Sequence, residues 1–250
     1  RLIAVNAEHK QEIYTVSMTG TNTFPPALEI PVHRLFSILG ILLLLALPAH
    51  FDASEPCAPF VDGKVNADVL AAMRTAAHRG RLYRIVPESS QVGFCVSYFP
   101  LQEFRGTFTQ LAGGLALPEN IDEHGQALLL IQTTSLEPSN PELAPMVHSY
   151  QFMDTERFPE ILFIGHAFQW VNGQHAHLFG DITLHGRTQP VVFDMDITVR
   201  NDPERNRPGH IHLAGNGQIR RSHFDMRNYP LLVSDTVRLC LDVELVPWGH

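Results

Sequence analysis

From residue 81 onward, hydrophobic and polar side chains alternate with a period of two. In QVGFCVSY, Val92, Phe94, Val96 and Tyr98 share one face while Gly93, Cys95 and Ser97 share the other, the pattern of a half-buried strand. EILFIG sets Ile161 and Phe163 together, and LFGDITL aligns Leu178, Ile182 and Leu184 with Gly180 between them. VVFDMDI aligns Val191, Phe193, Met195 and Ile197 opposite Val192, Asp194 and Asp196. In the last run, Val237, Leu239, Leu241, Val243 and Leu245 alternate with Arg238, Cys240, Asp242 and Glu244. Turn clusters such as Gly113-Gly114, Asn172-Gly173, Gly186 and the Asn-Tyr-Pro at 228–230 separate the runs. Many short strands with one polar face predict an all-β antiparallel sandwich or barrel.

Two segments depart from this rhythm. NADVLAAMRTAAH, 66–78, begins on a cap-capable Asn and spaces Val69, Leu70, Met73, Ala76 and Ala77 three to four apart, which predicts a short amphipathic helix acting as a plug or brace. Arg74 and Arg79 are too few to make a basic, membrane-surface face. In 141–159, Met146, Tyr150 and Phe152 fit a short helix or ordered loop crossing a barrel.

The run LFSILGILLLLAL, 35–47, has the length of a signal-peptide core and falls short of the roughly 20 residues of a spanning helix. His33 and Arg34 precede it, and Ala49 or Ala53 follows as a cleavage position. The expected organisation is an unusual prefix at 1–33 and a signal peptide at 34–53, which is a membrane anchor if uncleaved. A linker and short helix then occupy 54–80, and a β-barrel 81–248. A start at Met18 or near Val32 suits such a signal. Periplasmic or secreted localisation is the corresponding expectation.

Acidic residues outnumber basic ones, 26 to 18, for a net charge of −8, which removes the basic field that nucleic-acid binding relies on. The three cysteines form no C-x-x-C pair, so a structural zinc site or a disulfide-dense scaffold is not indicated. Cys95 and Cys240 fall outward on what would be the first and last barrel strands. If those strands pair, a bridge between the two is expected, with separate thiols or a bridge from Cys57 as alternatives.

The pairs His175/His177 and His210/His212 have ligand-like spacing, but neither set is completed by a neighbouring Cys or carboxylate in sequence. They read as exposed histidines at hairpin ends. Ser222, His223 and Asp225 crowd into four positions, unlike a hydrolase triad, and no G-x-S-x-G, G-x-G-x-x-G or P-loop occurs. Asp181, Asp194 and Asp196 fall on outward faces. No catalytic residue, metal ligand or cofactor is therefore assigned, and a non-enzymatic role is expected. Fifteen Phe against two Trp supply many purely apolar side chains, which fit a filled core and a greasy cavity equally well.

Five blocks in order carry a resemblance: YRIVPESSQVGFCVSY from Tyr83, FRGTFTQLAGGLAL from Phe104, SYQFMDTERFPEILFIG from Ser149, LFGDITLHGRTQPVVFDMDI from Leu178, and IRRSHFDMRNYPLLVSDTVRLCLDVEL from Ile219. Together they resemble the YceI-like family of polyisoprenoid-binding, lipocalin-like periplasmic proteins over 81–247. The resemblance implies an extended antiparallel barrel of about eight strands, holding a long-chain isoprenoid or quinone-like lipid as carrier or reservoir. It implies ligand contacts from Phe94, Val96, Tyr98, Phe108, Phe152, Phe163, Ile182, Leu184, Phe193 and Met195, with Arg105 and His148 as head-group candidates. The chain departs from the family pattern at Tyr98, where the family usually has His, and at PELAPMVHSYQF, where it has an Arg-Asp-x-His-Leu-like segment. Alternative readings are a fatty-acid or fatty-amide binding stress-response protein, an enzyme modifying such a lipid, and a solidly packed barrel that docks in the envelope without a ligand. Transient membrane contact and a homodimer complete the expected partners.

Overall fold

A computed structural model describes residues 55–60, 62–117, 125–202 and 207–249. The apolar run at 35–47 and the cleavage positions lie outside these residues. Eleven strands form one sheet: β1 (Leu82–Ile85), β2 (Gln91–Tyr98), β3 (Gln102–Phe108), β4 (Leu111–Ala116), β5 (Gln126–Gln132), β6 (Leu136–Pro138), β7 (Glu160–Trp170), β8 (His175–Leu184), β9 (Arg187–Asp202), β10 (Arg207–Arg220) and β11 (Val233–Pro247). All pairings are antiparallel, and β11 closes the sheet by pairing with both β2 and β1.

Six of these strands are three long staves, each bent once. A 3₁₀ turn at Pro87–Ser89 interrupts β1/β2, residues 109–110 interrupt β3/β4, and a 3₁₀ turn at Thr133–Ser135 interrupts β5/β6. Pro87 lacks the N–H that a continuous ladder needs. At the second and third bends Ser135 supplies the missing partner, its Oγ accepting from the Thr109 and Gln110 amides at 3.3 and 3.1 Å. Counted as staves, the fold is a closed eight-stranded antiparallel barrel, as the period-two pattern and the family resemblance implied.

The bends divide the interior. Around β1, β4 and the C-terminal part of β11 the core is solid, with Tyr83, Leu115, Met195, Leu213, Val243 and Leu245 buried against one another. Around β2, β3 and β6 it is open.

The predicted helix, α1 (Ala67–His78), braces the outside. Asn66 caps it, its side chain accepting from the Asp68 amide at 2.8 Å. Leu70, Met73 and Ala76 pack with Cys57, Phe60 and Val65 onto the outward Leu82, Ala116, Leu128, Leu130 and Leu162. This second layer is why β5 and the start of β7 are apolar on both faces, where alternation fails in the sequence. It also occupies the helix face that a membrane-surface reading would need.

Candidate functional site

In β2 the inward parity belongs to Val92, Phe94, Val96 and Tyr98; in β3 to Phe104 and Phe108; in β11 to Val237, Leu239 and Leu241. These side chains, with Leu129 and Ile131 of β5, Ile161 and Phe163 of β7, Ile182 and Leu184 of β8, and Phe193 of β9, surround a cavity of about 360 Å³. Its wall is almost wholly hydrocarbon. The inner end is a floor of two rings, Phe163 and Phe193, beyond which the solid half of the core begins.

The other end is a mouth. The crossing segment folds as a 3₁₀ turn at Pro141–Leu143, then α2 (Ala144–His148), then a looped return to β7. Leu143, Met146, Val147, Phe152 and Met153 from it line one side of the cavity. Facing them are Tyr98 and Phe99 of the β2–β3 turn and Met226, Tyr229 and Leu232 of the loop into β11. Phe152 stacks on Tyr229 with ring centroids 5.9 Å apart, and Tyr229 Oη donates to Gln151 Oε1 at 3.1 Å.

One cation enters this wall. Arg221, only 4% exposed, donates Nε to the Ser234 carbonyl at 2.9 Å, Nη1 to those of Met226 and Asn228 at 2.5 and 2.8 Å, and Nη2 to that of Val233 at 2.9 Å. Burial lowers its pKa below the ordinary guanidinium value, partly offset by the Asp235 carboxylate. The carbonyl bonds commit four of its five N–H groups. Its work is to pin the loop that forms half of the mouth.

Of the expected contacts, Phe94, Val96, Tyr98, Phe108, Phe152, Phe163, Ile182, Leu184 and Phe193 meet around the cavity. Three do not. Arg105 has the parity opposite to Phe104, so it stands outside, paired with Glu103 at 2.8 Å and opposite Cys95 in register. His148 follows Val147 around the short helix and turns away from the cavity; its carbonyl accepts from the Thr155 amide at 3.1 Å. Met195 is inward but lies beneath the floor, in the solid half. Tyr150 of the crossing segment is exposed. The alternation gives Val237, Leu239 and Leu241 a common face without assigning them to a ligand, and it does not mark Arg221; the doublet Arg220-Arg221 at the end of an alternating strand is the signal for the latter.

The outer face also corrects an expectation. β11 and β2 do pair, but Cys95 lies opposite Arg238 and Cys240 opposite Gly93, and all three cysteines are free. Diagonal neighbours stand roughly 7–8 Å apart at Cα, beyond the reach of a disulfide. Setting the two thiols opposite each other would need a two-residue shift of the β2/β11 register. His175 places Nε2 2.8 Å from Asp194 Oδ1 and Nδ1 3.0 Å from Asp196 Oδ1, while His212 Nε2 meets Asp242 Oδ1 at 3.0 Å. These are paired contacts across neighbouring strands, and among the described residues no group of His, Cys and carboxylate side chains is arranged to hold a metal ion.

Residues 83–245, which build every wall of this cavity except the brace outside it, match the YceI-like domain. The chain belongs to the YceI-like family. A UPF0312 protein of Pseudomonas putida strain W619 is 28% identical over 113 residues, covering 44% of this chain and 59% of that protein. One from Vibrio parahaemolyticus is 24% identical over 115 residues, 46% of this chain and 61% of that protein. The matched stretch thus spans less than two thirds of these YceI-like relatives. Among solved structures, BcnA of Burkholderia cenocepacia aligns with a TM-score of 0.56 at 16% identity, covering 64% of this chain and 98% of its own. The Campylobacter jejuni YCEI protein aligns at 0.50 with 20% identity, covering 56% and 82%. At these identities the likeness is one of fold.

Proposed function

We propose that this YceI-like chain is a non-enzymatic binding protein that carries a single-chain lipid, isoprenoid or acyl, in the half-open barrel. The observation that carries the reading is the hydrocarbon wall around a 360 Å³ cavity floored by the Phe163 and Phe193 rings. Apart from the Arg221 guanidinium and the Tyr98 and Tyr229 hydroxyls at the mouth, the lining side chains are hydrocarbon, which favours holding a chain over turning it over. The cation that lines it, Arg221, has four of its five N–H groups committed to backbone carbonyls.

The cavity of about 360 Å³ suits a single hydrocarbon chain, and a chain longer than its depth would leave its remainder and its head group at the mouth. Each buried CH₂ contributes roughly 0.8 kcal/mol, so affinity rises with chain length until the floor is reached. An exported location, in the periplasm or outside the cell, fits a carrier of water-insoluble chains and belongs to the same proposal.

Native mass spectrometry of the full chain, followed by solvent extraction, tests the reading. A co-purifying prenyl or acyl species, or saturable binding of a fluorescent acyl probe that dodecanoate displaces, is the expected result. A protein that yields no lipid and binds no such probe would sink it in favour of a packed, ligand-free barrel.

A further inference from the structure

Large apolar side chains that stand in water are not scattered evenly over this barrel. Among the described residues ten large apolar side chains are exposed. Phe99, Leu101, Tyr150, Tyr229, Leu231 and Leu232 belong to the three loops that frame the mouth, while Trp170, Val171, Val192 and Val199 lie on β7, β9 and the hairpin after β7 and are at most 57% exposed. Leu101 and Leu231 are essentially naked, at 104% and 93% exposure. The loops are tied into one rim: the Phe99 amide donates to the Leu232 carbonyl at 2.8 Å, and Asn228 Nδ2 donates to the Gln151 carbonyl at 2.7 Å. Neither 98–102 nor 228–233 contains a charged residue.

We infer that this rim docks shallowly into the hydrocarbon of a lipid bilayer, with Leu101 and Leu231 inserted. The inference takes its occupant from the tunnel reading, because Phe99, Tyr229 and Leu232 belong to the rim and to the cavity wall at once. A chain leaving the bilayer along this path passes from lipid to protein without crossing water. Uncharged loop tips suit hydrocarbon, where a charged side chain is costly. A second copy of the chain is the poorer occupant. Six side chains on loop tips fall well short of the roughly 20–30 residues a side in a standard interface. An apolar cluster left in water marks an interaction site, and the largest group of such side chains, with the two most exposed of them, surrounds the mouth of the cavity. Arg221 adds to the design by fixing the 226–234 backbone, so the rim is held open and presented rather than loose.

The test uses the full chain, in which the apolar run at 35–47 can also reach lipid, so its readout must report position. Leu101→Trp and Leu231→Trp are compared with Val171→Trp, which lies in the hairpin at the opposite end of the barrel, on phosphatidylcholine vesicles containing brominated lipid. Quenching beyond that of the parent chain is expected at 101 and 231 and not at 171. Leu101→Asp/Leu231→Asp, which alters no residue lining the cavity, is expected to slow lipid uptake from vesicles at least tenfold while leaving the affinity for a soluble acyl probe unchanged. Vesicle binding without added quenching at 101 and 231 would overturn docking by the rim. So would an intensity change at 101 that tracks protein concentration without vesicles, which would assign the rim to a second copy. Normal rim quenching in a protein that takes up no lipid would leave the docking in place and overturn the tunnel reading instead.

Discussion

Phe163 and Phe193 meet edge to face, centroids 5.3 Å apart and planes at 85°, and together they close the inner end of the cavity. Each ring sits where glycine leaves room. A Cβ at Gly217 would lie 2.8 Å from the Phe193 ring, and one at Gly180 would lie 2.5 Å from that of Phe163. The floor is therefore held by the neighbouring strands rather than by the two rings alone.

Removing half of the floor should lengthen the chain that fits. In Phe193→Leu, the longer acyl probes should gain up to about fourfold in affinity for each carbon that newly reaches the enlarged cavity. In the unchanged protein the same series should level off. A titration of C10 to C18 fatty acids against a displaced fluorescent probe reads both curves, and identical plateaus would show that the two rings do not set the depth. Phe193→Ala carries a larger folding cost, about 3–5 kcal/mol, which makes the leucine variant the cleaner probe.

Arg221 is the residue on which the mouth depends. Arg221→Met keeps much of its length but leaves four carbonyls without their donor, so a loss of about 2–4 kcal/mol is expected in urea unfolding, together with faster ligand release. Arg221→Lys keeps the charge but not the planar fork, and should recover only a minority of the loss. Full recovery by lysine would mean that charge, not donor geometry, holds the loop.

The barrel is legible in the sequence because a period of two survives wherever one strand face meets the core. The inward sets in β2, β8, β9 and β11 all fall where alternation puts them. β5 is harder to read: Leu128 and Leu130 lie under α1 while Leu129 and Ile131 face inward, so its run is apolar without interruption. Within the site, parity separates Phe104 from Arg105, yet no parity argument distinguishes Met195 from Phe193, which share a face and differ only in depth along the barrel. Depth is set by where the three bent staves open, and those bends depend on contacts such as Ser135 to Thr109 and Gln110, 25 or 26 residues apart in the chain. Arg221 escapes for the same reason: its partners lie on a loop that folds back over it.

Tyr83 marks the solid half. It is 1% exposed, burial raises the pKa of its phenol above the ordinary value, and its hydroxyl finds no hydrogen-bond partner among the described residues. A buried hydroxyl without a partner costs free energy that a ring alone would not. Tyr83→Phe should thus raise stability by about 1 kcal/mol, visible as a higher urea midpoint with unchanged slope. A loss of stability would reveal a partner for the hydroxyl, such as a buried water.

Acid sensitivity should centre on Asp235. Burial acts to raise its carboxyl pKa, but the Ser222 amide and Oγ, each donating at 2.9 Å, together with the positive Arg221 and Arg220, outweigh that and hold it below the usual carboxylate value. Because the folded pKa is depressed, ionised Asp235 favours the native state above the unfolded value of about 3.9. That contribution is lost as pH falls through the lower folded pKa. Asp235→Asn retains the shape and an acceptor for Ser222 but not the charge. Its urea midpoint should lie below that of the parent at pH 7, and the gap should narrow steadily as the pH is taken below about 4. A gap that stays constant down to pH 2 would locate the effect in packing around the 3₁₀ turn at Arg221–Phe224 rather than in the ionised carboxylate.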